Sequence, residues 1–175
     1  MVRNANATGF ANLPMDVVIL MGLPASGKTS FYRARFAVTH AHVSKDCFRN
    51  AGRPQERQRT LIHEALAAGR SIVVDNTNPT RTDRAVLIAM AREARARVVG
   101  YFFESTAAAC RDRNARREGK ARVPVVAIHA AAKRLEVLRS PRDSTNSSSC
   151  GWQKEVGSRW VLRIGRGRMR DAGDE

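Results

Sequence analysis

The sequence predicts an α/β fold, a parallel β-sheet flanked by helices on both faces. Three observations predict it. Short apolar, β-branched runs alternate along the chain with longer segments of helical period. Those runs are continuous rather than alternating, as in strands buried on both sides. The first of them leads straight into the glycine-rich stretch Gly22-Leu23-Pro24-Ala25-Ser26-Gly27-Lys28-Thr29, which fits the phosphate-loop pattern G-x-x-x-x-G-K-[ST] at every fixed position.

Asp16–Met21 is the strand before that loop, and Ser30–Phe36 begins the helix after it, giving the strand–loop–helix order the motif needs. Gly22 and Gly27 let the backbone curl so that the N–H groups of Pro24-Ala25-Ser26-Gly27-Lys28-Thr29-Ser30 (proline excepted) face a polyphosphate. The helix N-terminus adds about half a positive charge there. Lys28 is expected to reach the β- and γ-phosphates of ATP, and the Thr29 hydroxyl to ligate Mg²⁺.

Ala41–Ser44 is a short second strand. Lys45-Asp46-Cys47-Phe48-Arg49 follows at its C-terminal edge, where open parallel sheets bind ligands. Asp46 and Arg49 are three apart and share one side of a helical turn. A general base beside an anion-holding arginine fits this spacing; so does a surface ion pair or a helix cap. Gly52-Arg53-Pro54 breaks the chain, and Gln55–Ala68 reads as a helix stopped by Gly69. Ser71–Asp75 is the third strand, ending on an acid where a phosphate-loop enzyme places its Mg²⁺-organising carboxylate. Asn76-Thr77-Asn78-Pro79 is a polar turn at the same edge, with Asn76 and Asn78 as candidate substrate contacts. Thr82–Ala94 is a helix, Arg97–Phe103 the fourth strand, and Ala107 to about Glu118 a helix capped by Ser105 or Thr106. Pro124–Leu138 reads as the last helix. Between these two helices, six of the twelve residues from Arg111 to Arg122 are basic, more than a helix dipole needs, which points to an arginine-rich lid over a phosphate-transfer site.

A chain of 175 residues suits one domain with a real core. Residues 1–14 read as a disordered lead-in, 15–138 as the domain, and 139–175 as a divergent Ser-rich, basic tail. The net charge is +15, and residues 1–137 already carry 23 basic against 11 acidic side chains. That excess suits a polyanionic partner beyond ATP, most simply nucleic acid, although an arginine-rich coding composition produces it as well. The three cysteines form no C-x-x-C and sit near no histidine at ligand spacing, so neither a disulfide nor a zinc site is expected, and a cytoplasmic location fits. No run approaches the ~18 apolar residues of a membrane span, so no membrane partner is expected.

The phosphate loop, then Val43-Ser44-Lys45-Asp46, then Val74-Asp75-Asn76-Thr77-Asn78-Pro79, then Arg113-Asn114 with Val123-Pro124, resembles the kinase domain of polynucleotide kinase/phosphatase and the small bacterial ATP-binding proteins similar to it. The resemblance covers residues 15–138 and implies a P-loop kinase fold that moves the ATP γ-phosphoryl group to a 5′-hydroxyl of DNA or RNA. It implies that Asp46 activates the hydroxyl, that Arg49 contacts substrate, and that Arg117, with Arg113 next, is the lid arginine. Lys45 departs from the arginine frequent at its position, and no phosphatase motif accompanies the domain. Two other functions fit the same residues: a kinase for a small metabolite or nucleoside, and an ATP- or nucleic-acid-binding protein without phosphoryl transfer.

After Val137 the apolar stripe vanishes, serines accumulate, and Trp152 and Trp160 appear in a chain with no earlier tryptophan. The resembling family instead continues with a Pro-containing turn, Glu-Gly-Phe and a last strand. Back-translated and read one base earlier, Arg142 to Ser148 encode Glu-Gly-Phe-Asp-Glu-Leu-Phe, with wobble bases chosen to favour the match. The expectation is that 138–175 are translated out of frame, with an improvised strand over Trp160–Ile164; a genuine serine-rich tail is the alternative. Sequencing the coding DNA around Val137 is expected to show those codons, and codons that do not spell Glu-Gly-Phe one base back contradict it.

Overall fold

A computed structural model of the chain describes residues 15–48 and 52–136, and the backbone of 150–155 and 159–164. Arg49, the lead-in 1–14 and the serine-rich stretch around residue 145 lie outside the described residues. The elements run β1 (Asp16–Gly22), α1 (Lys28–Arg35), β2 (Ala41–Val43), α2 (Pro54–Ala67), β3 (Ile72–Asp75), α3 (Arg81–Glu93), β4 (Arg97–Phe103), α4 (Ala107–Ala115), α5 (Val125–Arg134), β5 (Cys150–Glu155) and β6 (Arg159–Ile164).

The sheet order is β2-β3-β1-β4-β6-β5. The first four strands are parallel, as the continuous apolar runs predict. The sheet is not parallel throughout: β6 lies antiparallel to β4, with Tyr101 opposite Val161, and β5 antiparallel to β6. Two nearby strands joined by a short connection pair antiparallel because a parallel pair needs a long crossover.

Side chains alternate across β1. Val17, Ile19 and Met21 face Ile62, Ala65 and Leu66 of α2 and Leu87 and Ala91 of α3. Val18 and Leu20 face Phe31 of α1, joined by Val73, Val99 and Phe103. Helices therefore cover both faces, and both parities of the strand must be apolar. A third cluster seats Leu23, just past β1, against Cys110 of α4 and Ile128 of α5. Among the described residues no helix is long and apolar enough to cross a membrane.

Two helices are shorter than their sequence pattern. The fourth stops at Ala115 instead of near Glu118. Asn114, 1 % exposed, turns its amide onto the backbone of Val123, donating from Nδ2 to the carbonyl at 2.7 Å and accepting the N–H at Oδ1 at 2.9 Å. That bridge pinches off the 115–122 segment as a loop. The last helix ends at Arg134 rather than Leu138 because the chain turns there to dock on the turn after β3: the Glu136 N–H donates to Pro79 O at 2.9 Å.

β1 lies between β3 on one side and β4 on the other; the chain leaves it through α1 for β2 on the β3 side, and the later crossover after β3 carries it to β4 on the other side. The C-terminal end of β1 is thus a topological switch point, the place where open α/β sheets form a crevice.

Candidate active site

The phosphate loop fills that crevice. Gly22 has φ 138°, and a Cβ there would sit 2.8 Å from Phe103 O, so only glycine lets β1 and β4 close at this point. Gly27 has φ 98° and Ala25 φ 61°, which turn the backbone into helix α1. The curl is closed within by Ser26 N–H donating to Leu23 O at 3.2 Å and held from outside by two contacts: Gly22 N–H donates to Thr77 O at 3.1 Å, and Arg113 Nε to Ala25 O at 2.8 Å.

Lys28, 7 % exposed, sends its ammonium back into the curl, donating to Gly22 O at 3.0 Å and Leu23 O at 2.6 Å. Burial pushes this ammonium from the ordinary 10.5 down to about 8, against the pull of the nearby Asp75 carboxylate. Thr29 Oγ1 donates to Asp75 Oδ2 at 2.6 Å. Asp75 is buried, which by itself raises a carboxyl; the hydrogen bonds from His42 and Thr29 and the charge of Lys28 outweigh burial, so it is held below the usual carboxylate range. A hydroxyl and an ionised carboxylate side by side at a phosphate loop are hard oxygen donors of the kind Mg²⁺ takes alongside nucleotide phosphates.

A cleft of about 350 Å³ opens from the loop. Pro24, Ala25, Ser26, Gly27, Lys28 and Thr29 form one wall, and Asp46, Asp75, Asn76, Asn78 and Arg117 line the remainder together with Lys45, Gln55, Gln58 and Arg59. Asp46 sits on a short 3-10 turn, Lys45–Phe48, at the C-terminal end of β2, with its backbone N–H donating to Ser44 Oγ. Six of the seven expected nucleotide contacts after Gly22 are in this lining. Ser30 is not: it is exposed, one helical step of about 100° beyond Thr29.

The two candidate substrate asparagines line the cleft with their amide nitrogens already committed. Asn76 accepts from Lys45 N–H at 3.0 Å and donates to Gln58 Oε1 at 3.1 Å. Asn78, at φ 41°, donates to Leu20 O at 2.7 Å, which clamps the turn onto β1. Both hold the wall in place. Arg117 reaches the cleft, whereas Arg113, on the preceding turn, is tied to Ala25 O and Ser105 Oγ and braces the phosphate loop from behind.

Two residues were not expected from the sequence. His42, in the middle of β2, places Nε2 3.2 Å from Asp75 Oδ2. Arg84, 5 % exposed on α3, donates from one nitrogen to Asn78 O at 3.0 Å and Pro79 O at 2.9 Å, with Glu136 3.8 Å from its other nitrogen. A basic residue on the inner side of a predicted helix is a signal for Arg84. His42 gives none beyond a polar residue inside a short strand.

The AAA domain family profile matches residues 17–138, the part that carries the sheet and the cleft. The chain belongs to this family. It is 24 % identical over 135 residues to the bifunctional polynucleotide phosphatase/kinase of Schizosaccharomyces pombe, a match covering 75 % of this chain and 32 % of that protein. The chain thus spans about a third of the length of that relative. Among solved structures, it superposes on a chain of the Pnkp1/Rnl/Hen1 RNA repair complex with a TM-score of 0.56 and 22 % identity, over 74 % of this chain and 46 % of that one. It superposes on a sugar kinase from Janibacter sp. HTCC2649 with a TM-score of 0.55 and 24 % identity, over 72 % of this chain and 80 % of that one. The domain is a P-loop kinase fold of weak homology to polynucleotide kinase/phosphatase.

The Lys28 geometry sets a proton balance. Below about pH 8 the side chain is charged in both folded and unfolded chains. Between about 8 and 10.5 only the unfolded chain holds the proton, so nucleotide-free stability contributed by this group rises with pH across that window. Phosphates in the curl reverse the shift. Calorimetry of ATP binding at about pH 8.5, run in buffers of different ionisation enthalpy, is expected to show proton uptake that fades toward about pH 6.5. No uptake at the higher pH would mean that Lys28 does not meet the phosphates.

Proposed function

We propose that this chain is an ATP-dependent, Mg²⁺-requiring kinase that transfers the γ-phosphoryl group to a hydroxyl, the 5′-hydroxyl of DNA or RNA. The observation that carries the reading is the convergence of Lys28, the Thr29–Asp75 pair, Asp46 and Arg117 on one cleft. A hydroxyl kinase needs a phosphate cradle, a place for the cation, a carboxylate for the acceptor and a cation at the transferring group.

ATP lies with its β- and γ-phosphates in the curl, and the Lys28 ammonium exchanges its two carbonyl contacts for phosphate oxygens. Thr29 and Asp75 would hold Mg²⁺, which neutralises charge on the β- and γ-oxygens. Asp46, across the cleft, accepts the hydrogen bond of the acceptor hydroxyl and so aims its oxygen at the γ-phosphorus. As the new P–O bond forms and the bond to the β-phosphate oxygen breaks, the acceptor proton passes to Asp46, and ADP leaves. The transition state is loose, so Asp46 acts first by orientation and takes the proton late. Arg117, two residues past the end of α4 and in the cleft lining, supplies charge to the transferring group.

The nucleic-acid acceptor is supported by the basic excess of residues 1–137, by the relative from S. pombe, and by Lys45, Arg59 and Arg117 around the cleft. A second reading, a small polyhydroxy acceptor, is favoured by the lining itself. Gln55, Gln58 and Asn76 are amides, and no aromatic stands among the described lining residues to stack a base. Salt separates the two. Binding of an oligonucleotide through several phosphates weakens steeply between low and physiological salt, and binding of an uncharged polyol does not.

Asp46→Asn is expected to keep ATP affinity and lower turnover by roughly 10²–10⁴. Unchanged turnover would reduce Asp46 to a surface residue. Arg117→Ala is expected to slow transfer while Arg116→Ala, which removes the same charge from an exposed neighbour outside the cleft lining, leaves it near normal; equal losses would mean that bulk charge matters and not one placed guanidinium.

A further inference from the structure

His42 has no part in the reading above, yet its surroundings are built. It lies on β2, next to β3, and its Nε2 reaches Asp75 Oδ2 at 3.2 Å. The same oxygen accepts the Thr29 hydroxyl at 2.6 Å. The ring is held flat by Tyr32 of α1, which stacks on it at a centroid distance of 4.1 Å and an interplanar angle of 14°. Its side chain is 24 % exposed and that of Asp75 only 4 %.

The chemistry asks for such a partner. Thr29 has one hydroxyl proton. To turn a lone pair toward a cation it must point that O–H elsewhere, and Asp75 accepts the hydrogen bond. The value of the pair therefore depends on the Asp75 carboxylate staying turned toward Thr29. A carboxylate held by one hydrogen bond swings about its terminal torsion, which is broad and roughly two-fold. Two donors arriving from different strands and helices on one oxygen remove that freedom. His42 supplies the second donor, and Tyr32 removes the freedom of His42 in turn. Outer partners of this kind are worth about 10–100-fold in metal affinity or activity.

We propose that His42 is a positioning residue: stacked on Tyr32, it fixes the Asp75 carboxylate so that Thr29 and Asp75 present a set pair of oxygens to the divalent cation of the nucleotide. The proposal rests on the reading of Thr29 and Asp75 as the cation's side chains, and the experiment separates the two.

Mn²⁺ serves as the probe, with its binding to the protein–ATP mixture followed by electron paramagnetic resonance. His42→Phe keeps a ring against Tyr32 and removes the donor. His42→Gln restores an N–H donor of similar reach without the ring. The wild type is expected to bind Mn²⁺ with nucleotide, and His42→Phe to stay folded and bind it about 10–100-fold more weakly, with its metal-free ATP affinity unchanged. His42→Gln is expected to recover part of the loss. Unchanged Mn²⁺ affinity in His42→Phe overturns the proposal and leaves the Thr29–Asp75 reading standing. A fall in melting temperature and in metal-free ATP affinity together, unrelieved in His42→Gln, overturns it in favour of a packing role. No Mn²⁺ binding by the wild type in the presence of ATP overturns both.

Discussion

The buried charge of Lys28 is the constraint on which the site depends. An ammonium 7 % exposed rests directly on two backbone carbonyls, and these dipoles with the nearby Asp75 carboxylate replace water incompletely. Its burial is what lowers its proton affinity. On the proposed function, this ammonium is the floor of an anion site, and a polyphosphate in the curl would offset the desolvation that the nucleotide-free chain carries. The loop that creates this floor has little core of its own. It is therefore held by neighbours at both ends: β4 closes against Gly22, Thr77 O takes the Gly22 N–H, and Arg113 takes Ala25 O.

The same neighbours tie the phosphate side of the cleft to the acceptor side. Asp75 ends β3 and receives Thr29; the next residue, Asn76, bridges Lys45 and Gln58; Asn78 reaches back to Leu20. Arg84 then gathers the carbonyls of Asn78 and Pro79, and Glu136 secures α3 by accepting the Arg81 N–H at 2.7 Å. Charge on buried Arg84 is thus spent on fixing backbone, not on ligand. A polar turn of four residues holds its shape because several elements bind its polar groups, and that turn stands beside Asp46 and Asp75, which follow the C-terminal ends of the adjacent strands β2 and β3 and line the same cleft.

Much of this was legible in the sequence for one reason: parallel strands buried on both faces leave unbroken apolar runs, and a phosphate loop needs glycines at fixed places. Asp16–Gly22, the loop and the Arg97–Phe103 strand are read directly from those rules. What stayed hidden depends on partners far away in the chain. The Ala-Arg-Arg-Glu run past Asn114 is made of good helix formers, and only the Asn114–Val123 bridge, nine residues apart, shows why the helix stops. Arg113 and Arg117 look equivalent as lid arginines, but one helical turn separates a side chain braced on the loop from one facing the cleft. His42 carries no local signal at all, because its role is set by Asp75, 33 positions on, and by Tyr32 on another element. The strand expected over Trp160–Ile164 is present as Arg159–Ile164, but its Cys150–Glu155 partner and the antiparallel pairing of both were not expected.

The central claim is that the Lys28 cradle delivers a phosphoryl group from ATP to a hydroxyl across the cleft. The most direct measurement is transfer of label from γ-labelled ATP, with Mg²⁺, to a panel of 5′-hydroxyl oligonucleotides and small polyols, run in parallel with folded Lys28→Ala. The account predicts labelled acceptor, oligonucleotides foremost, from the native chain and none above background from the variant. Near-native transfer by Lys28→Ala with an unchanged circular dichroism spectrum would contradict it.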